Sequence, residues 1–158
     1  HVSLALSGAL TALFPAMGVL SRTGGGVLSD RLFGGARRPV VVLSFAATAP
    51  AVGGFVAFTD VPVVVGLLVV AGFSVQLALG LLYTYLSEVV EPAVRGTAVS
   101  MMTSVGLFGA FVAPIVGGEI IARAGYRPAF LLATAVALAG IALAWYAPDV
   151  GPGADVEV

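Results

Sequence analysis

The sequence of 158 residues contains no cysteine and no lysine, and its single histidine is the first residue. The absence of cysteine excludes disulfides, thiolate metal sites and cysteine nucleophiles, and it leaves the redox compartment open. With one terminal histidine, neither histidine-based catalysis nor an H-E-x-x-H metal site is available, which argues against an enzyme. We therefore expect no catalytic residue, no metal and no cofactor.

Charge is also scarce, because only 9% of the residues are charged while 59% are hydrophobic. Soluble domains carry about 25% charged residues. A soluble chain with so few charged residues could not form a polar surface toward water. We therefore expect a lipid bilayer to surround the protein, as its solvent and as one of its partners. The formal net charge of −1 gives no basis for binding nucleic acid.

Five long apolar runs make up most of the chain. Each is long enough to cross a hydrocarbon core of ~30 Å, which takes about 20 residues in a helix. None of them alternates apolar and polar residues with period two, which disfavours strands. We therefore predict an all-α integral membrane protein whose bundle of five transmembrane helices occupies residues 1–148. The predicted spans are residues 2–29, 40–59, 61–87, 96–121 and 128–147.

The arginines predict the orientation of this bundle. The loops at residues 30–39 and 87–96 hold Arg31, Arg37, Arg38 and Arg95, whereas the loops on the other side hold Arg123 and Arg127. Cytoplasmic loops carry the excess of positive charge, so we predict that loops 30–39 and 87–96 are cytoplasmic. The acidic segment 149–158 is then expected to be a disordered cytoplasmic tail.

The stretch GGGVLSDRLFGGARRP, residues 24–39, gathers charge directly behind three glycines. A phosphate-binding loop is disfavoured, because such a loop needs a strand before it and a helix after it. The arginines would anchor the loop at anionic headgroups, but this does not explain Asp30. A sharper hypothesis is that Asp30 accepts hydrogen bonds from the N-terminus of the helix that begins near Gly96, whose dipole favours an anion. We name this group the cytoplasmic latch, and its predicted members are Gly26, Asp30, Arg31, Arg37, Arg38, Glu88 and Arg95.

The same stretch resembles the cytoplasmic loop motif of the major facilitator superfamily, roughly G-x-L-(A/S)-D-R-x-G-R-(R/K). The matching positions are Gly26, Leu28, Ser29, Asp30 and Arg31, and the basic pair follows later, at Arg37 and Arg38. Three further segments resemble the elbow, the Gly/Pro-rich helix and the final turn of such transporters, in that order. They are SEVVEPAVRG at 87–96, GLFGAFVAPIVGG at 106–118 and GYRPAF at 125–130.

The resemblance implies a multi-pass transporter of the plasma membrane that moves a small solute by alternating access. In the N-terminal half of this family, the helix matching residues 61–87 commonly carries an arginine near its start, and here it has none. We therefore expect a partial superfamily bundle, helices eight to twelve of the C-terminal half. Its partners would be an unidentified small molecule or ion and the absent N-terminal half. The alternative is a non-transporting membrane scaffold or a truncated transporter relic.

Three polar residues inside the predicted spans are possible substrate-pathway residues: Arg22, Gln76 and Tyr83. Arg22 lies about 12 Å deeper than Asp30 along the helix. An arginine at that depth indicates function, here toward an anionic substrate or a carboxylate of the absent half, unless its side chain reaches back to the interface. Gln76 either lines a substrate path or joins two helices. The hydroxyls of the fourth span, Ser100, Thr103 and Ser104, are predicted to bond carbonyls of their own helix.

Overall fold

The computed structural model describes the backbone of residues 4–147, and their side chains other than those of residues 4–7, 23, 25–30 and 32. This part of the chain folds into five α-helices with no strand, which confirms the predicted all-α class. Four helices, α2 to α5, are long and apolar enough to cross a membrane, and α1 is a fifth long helix beside them. The helices are α1 (Leu4–Phe33), α2 (Arg37–Ala57), α3 (Val61–Val89), α4 (Arg95–Ala124) and α5 (Tyr126–Tyr146). The predicted tail lies outside the described residues.

The first connection is shorter than the sequence predicts. Residues 30–33 were expected in a loop, yet α1 continues to Phe33 and only residues 34–36 separate it from α2. Two successive glycines with positive φ, Gly34 at 58° and Gly35 at 88°, end the helix. Other residues adopt this conformation only with strain, which explains why the helix continues until these glycines.

Proline and glycine also position the other turns. Pro62 lies in the first turn of α3, where its missing N–H would have had no helical partner. Gly125 has φ 84° and ψ −178°, a conformation that is essentially confined to glycine, and it is the single residue between α4 and α5. These two tight turns reverse the chain at one end of the bundle.

Helix α2 lies at the centre of the packing, between α3 and α5, while α1 packs along α3. The buried core, Val40, Val41, Leu77 and Leu81, joins α2 to α3. Helix α4 packs more lightly, against α5 and α3, and none of its residues is buried.

One end of the bundle collects the ends of α1, α3 and α5 and the beginnings of α2 and α4. Contacts of Arg37 with Glu88 and of Arg38 with Trp145 join helices there, so we name it the arginine end. The turns at Asp60 and Gly125 lie at the opposite end. This arrangement places α1 and α3 parallel to each other and α4 antiparallel to both.

Candidate functional site

Helices α1 and α3 meet along a seam in which a glycine faces a larger side chain at every level. A Cβ atom at Gly72 would lie 3.2 Å from the Phe14 Cα atom, and one at Gly80 would lie 3.9 Å from Arg22 Cγ. Between these levels, Gly18 faces the Gln76 amide. Each contact comes four residues after the last on both helices, because parallel helices with 3.6 residues per turn present one face to each other. Small residues let such helices approach closely in lipid.

Gln76 is therefore half-buried in the seam, where its amide packs against Gly18. The nearby hydroxyl of Ser21 is buried and donates to the Gly18 carbonyl at 3.2 Å. Of the two roles that the sequence left open for Gln76, this position favours the joining of two helices.

Arg22 lies one level closer to the arginine end, about 16 Å from the end of α1. With Leu79, Gly80 and Tyr83 it lines a cavity of about 340 Å³. A second cavity of about 150 Å³ adjoins Arg22 and is also lined by Arg37 and Thr84. The structure thus brings two of the predicted pathway residues, Arg22 and Tyr83, to one cavity.

The acids with described side chains all lie at helix ends or in loops, away from the level of Arg22. Asp60 and Glu91 lie in loops, Glu88 lies in the last turn of α3, and Glu119 lies near the end of α4. Glu88 pairs with Arg37, and Glu119 pairs with Arg123 one helical turn away. No acid in this set forms an ion pair with Arg22.

A hydrogen bond at the same level links α3 to α4. The hydroxyls of Tyr83 and Thr103 lie 3.2 Å apart, and Thr103 also donates to the Val99 carbonyl at 2.8 Å. Because a hydroxyl has one proton to donate, Tyr83 is the donor in its contact with Thr103. Ser100 and Ser104 bond carbonyls of α4 in the same way, so the prediction for the hydroxyls of this helix is confirmed.

An ion pair closes the arginine end between α2 and α3. Arg37 Nη2 lies 3.1 Å from Glu88 Oε1, and Arg37 Nε lies 3.3 and 3.4 Å from the two carboxylate oxygens. The Arg37 side chain is 14% exposed and that of Glu88 is 35% exposed. Contact with both oxygens is the strong geometry for an arginine and a carboxylate. The structure therefore joins two of the residues that the sequence assigned to the cytoplasmic latch.

Arg38 makes a different contact, toward α5. It donates to the backbone carbonyl of Trp145, and its guanidinium carbon lies 5.3 Å from the centre of the Trp145 ring. The sequence did not identify Trp145 as a partner. The available signal was a lone tryptophan at the end of an apolar run, the usual place of aromatic residues at a membrane interface.

The remaining latch residues are placed as follows. Arg31 is exposed in the last turn of α1, and Arg95 is exposed as the first residue of α4. Gly26 and Asp30 lie in α1, among the residues whose side chains are outside the described set. The contact of Asp30 with the N-terminus of α4 therefore stays a prediction.

The comparison with known families agrees with this architecture. The sequence matches the Major Facilitator Superfamily over residues 1–157. No curated protein matches it. The chain belongs to the Major Facilitator Superfamily, and the resemblance drawn from the sequence motifs is confirmed. It is a multi-pass membrane protein of a family of membrane transporters.

Proposed function

We propose that the chain forms helices eight to twelve of a secondary transporter that moves a small solute by alternating access. The plasma membrane is the proposed location, and transport rather than catalysis is the proposed activity. The absence of an arginine at the start of α3 supports the assignment to the C-terminal half.

The observation that carries this proposal is the layout of the α1–α3 seam. A cavity of about 460 Å³, lined by Leu10, Phe14 and Leu68 among others, lies nearer the opposite end of the bundle. The cavity at Arg22 lies nearer the arginine end. Between the two, Phe14 and Gly18 of α1 pack closely on α3. Two cavities separated by a close contact between helices are the arrangement expected of a transporter that exposes its binding site to one side of the membrane at a time.

The cytoplasmic latch would hold the arginine end closed. The Arg37–Glu88 pair fastens α2 to α3, and Asp30 would add a contact to the start of α4 at Arg95 and Gly96. Two conformations of which the minor one is populated at 0.1–10% differ in free energy by only a few kcal/mol. A group of such contacts supplies a free-energy difference of this size.

Cysteine accessibility in the complete transporter tests the proposal, because these 158 residues contain no cysteine and any cysteine of the remaining half can be replaced by serine. Thr84→Cys reports on the cavity beneath Arg37, and Leu10→Cys reports on the cavity near the opposite end. In proteoliposomes, Glu88→Gln should speed labelling of Thr84→Cys by an impermeant maleimide severalfold and slow labelling of Leu10→Cys. The matched control is Glu119→Gln, which removes an exposed pair on α4 and should change neither rate.

The direction of the two changes separates the proposal from the scaffold alternative. A scaffold has one conformation, so Glu88→Gln would leave both rates unchanged and alternating access would be refuted. A rise in both rates would show general loosening of the bundle and would also contradict the proposal. Only opposite changes support a transporter.

A further inference from the structure

We infer that the cavity at Arg22 binds the negative group of a small organic anion, which makes the transported solute an organic anion. This inference rests on the proposed transport function and assigns its substrate class. The inference is based on the Arg22 guanidinium, which forms no ion pair with any acid whose side chain is described.

The exposed side chain of Arg22 lies along α3. Its stem lies beside Gly80 of the neighbouring helix, and it lines both cavities along α3. The smaller cavity is also lined by Arg37, another cation, which is paired with Glu88. An arginine at this depth is costly unless an anion meets it. Among the described side chains, none therefore compensates the positive charge of Arg22 at this cavity.

The residues that line the 340 Å³ cavity at Arg22 indicate the chemical character of the solute. An arginine offers a planar set of N–H donors that matches a carboxylate or a phosphate. Tyr83 gives its hydroxyl proton to Thr103, so toward the cavity its oxygen can only accept. The Leu79 side chain and the Tyr83 ring are apolar walls. The volume of about 340 Å³ falls within the range of small-molecule sites, so the cavity has room for a small organic monoanion.

The test measures the charge of the cavity with a single cysteine, Leu79→Cys. Two thiol reagents of similar size and opposite charge are compared, the sulfonatoethyl and the trimethylammonioethyl methanethiosulfonates. Their rate ratio is normalised to the ratio for free 2-mercaptoethanol. One unpaired cation at several ångströms should favour the anionic reagent about tenfold. When Leu79→Cys is combined with Arg22→Gln, the normalised ratio of the anionic to the cationic reagent should fall to about one. When it is combined with Arg22→Lys, the ratio should stay near tenfold.

A second arm tests binding of an organic anion directly, with benzoate as the probe and benzamide as its neutral counterpart. Benzoate should slow the labelling of Leu79→Cys, and benzamide should not. Benzoate concentrations up to about 0.1 M would occupy even a site with a millimolar Kd. The protection should disappear in Arg22→Gln. The unfolding temperatures of Arg22→Gln and Arg22→Lys should be equal, which would assign the loss of protection to the lost charge and not to misfolding.

Three outcomes would overturn the inference: no reaction of Leu79→Cys with either reagent, a ratio that Arg22→Gln leaves unchanged, or equal effects of benzoate and benzamide. The second would show that Arg22 is neutralised by a carboxylate elsewhere. None of these readouts requires movement of solute. If Leu79→Cys prefers the anionic reagent but the labelling rates of Thr84→Cys and Leu10→Cys do not change in opposite directions, only the transport proposal is refuted. If those two rates change in opposite directions but Leu79→Cys shows no preference, only the anion site is refuted.

Discussion

Arg37 and Glu88 are 51 residues apart in the sequence, yet the guanidinium of one contacts both carboxylate oxygens of the other, at 3.1 Å for the closest pair of atoms. Arg37 is the first residue of α2, and Glu88 lies in the last turn of α3. The pair therefore fixes how two antiparallel helices meet at the arginine end.

Charge reversal should test this pair. Arg37→Glu and Glu88→Arg should each lower the thermal stability of the protein in detergent, and the double variant should recover part of the loss. Because Glu88 is about one third exposed, the coupling free energy is expected to be about 0.2–1 kcal/mol. Strictly additive losses in the four-member cycle would show that the two side chains do not interact in the folded protein.

A methyl group at Gly72 should force α1 and α3 apart. Its Cβ would lie 3.2 Å from the Cα atom and the carbonyl oxygen of Phe14, and backbone atoms cannot move aside as a flexible side chain can. Gly72→Ala is expected to destabilise the protein by about 1–3 kcal/mol, the usual result of overpacking. The matched control is Gly66→Ala in the same helix, where a Cβ would meet nothing within 4 Å. Equal unfolding temperatures for the two variants would contradict the close approach of the seam.

The contact of Arg38 with Trp145 can be followed by fluorescence, because Trp145 is the only tryptophan of the chain. Arg38→Gln removes the cation beside the indole ring and should shift the emission of the folded protein. The lost cation–π interaction is expected to contribute about 0.5–1 kcal/mol at this exposed position. Arg123→Gln, at the opposite end, should leave the spectrum unchanged. An unaltered spectrum for Arg38→Gln would mean that α2 and α5 do not meet through this pair.

The five helices could be predicted from the sequence because the thickness of the bilayer sets the length of an apolar run. The end of α1 was placed too early, at residue 29, because Asp30 and Arg31 were assigned to a loop on account of their charge. A basic residue in the last turn is in fact favourable for a helix, since it meets the negative end of the dipole. The backbone requirement at Gly34 and Gly35, and not the charge, determines where α1 stops.

The site could be predicted only in part. Arg37 and Glu88 were both assigned to the latch, but their pairing depends on how α2 and α3 meet, which no local pattern records. The contact between Arg38 and Trp145 joins residues 107 positions apart and was missed for the same reason. Along the seam, the glycines are visible in the sequence, but the residue that faces each one depends on the register of two helices that are not adjacent in the chain.

Helix α4 has no buried residue, although it is 30 residues long. Within these five helices, α4 is held in lipid by its own apolar side chains more than by contacts with α3 and α5. Its length of 30 residues and mean hydropathy of 1.9 are sufficient for a helix that crosses the bilayer. Such an apolar helix accommodates the two glycines and the proline of its second half, residue types that membrane helices contain more often than soluble helices do.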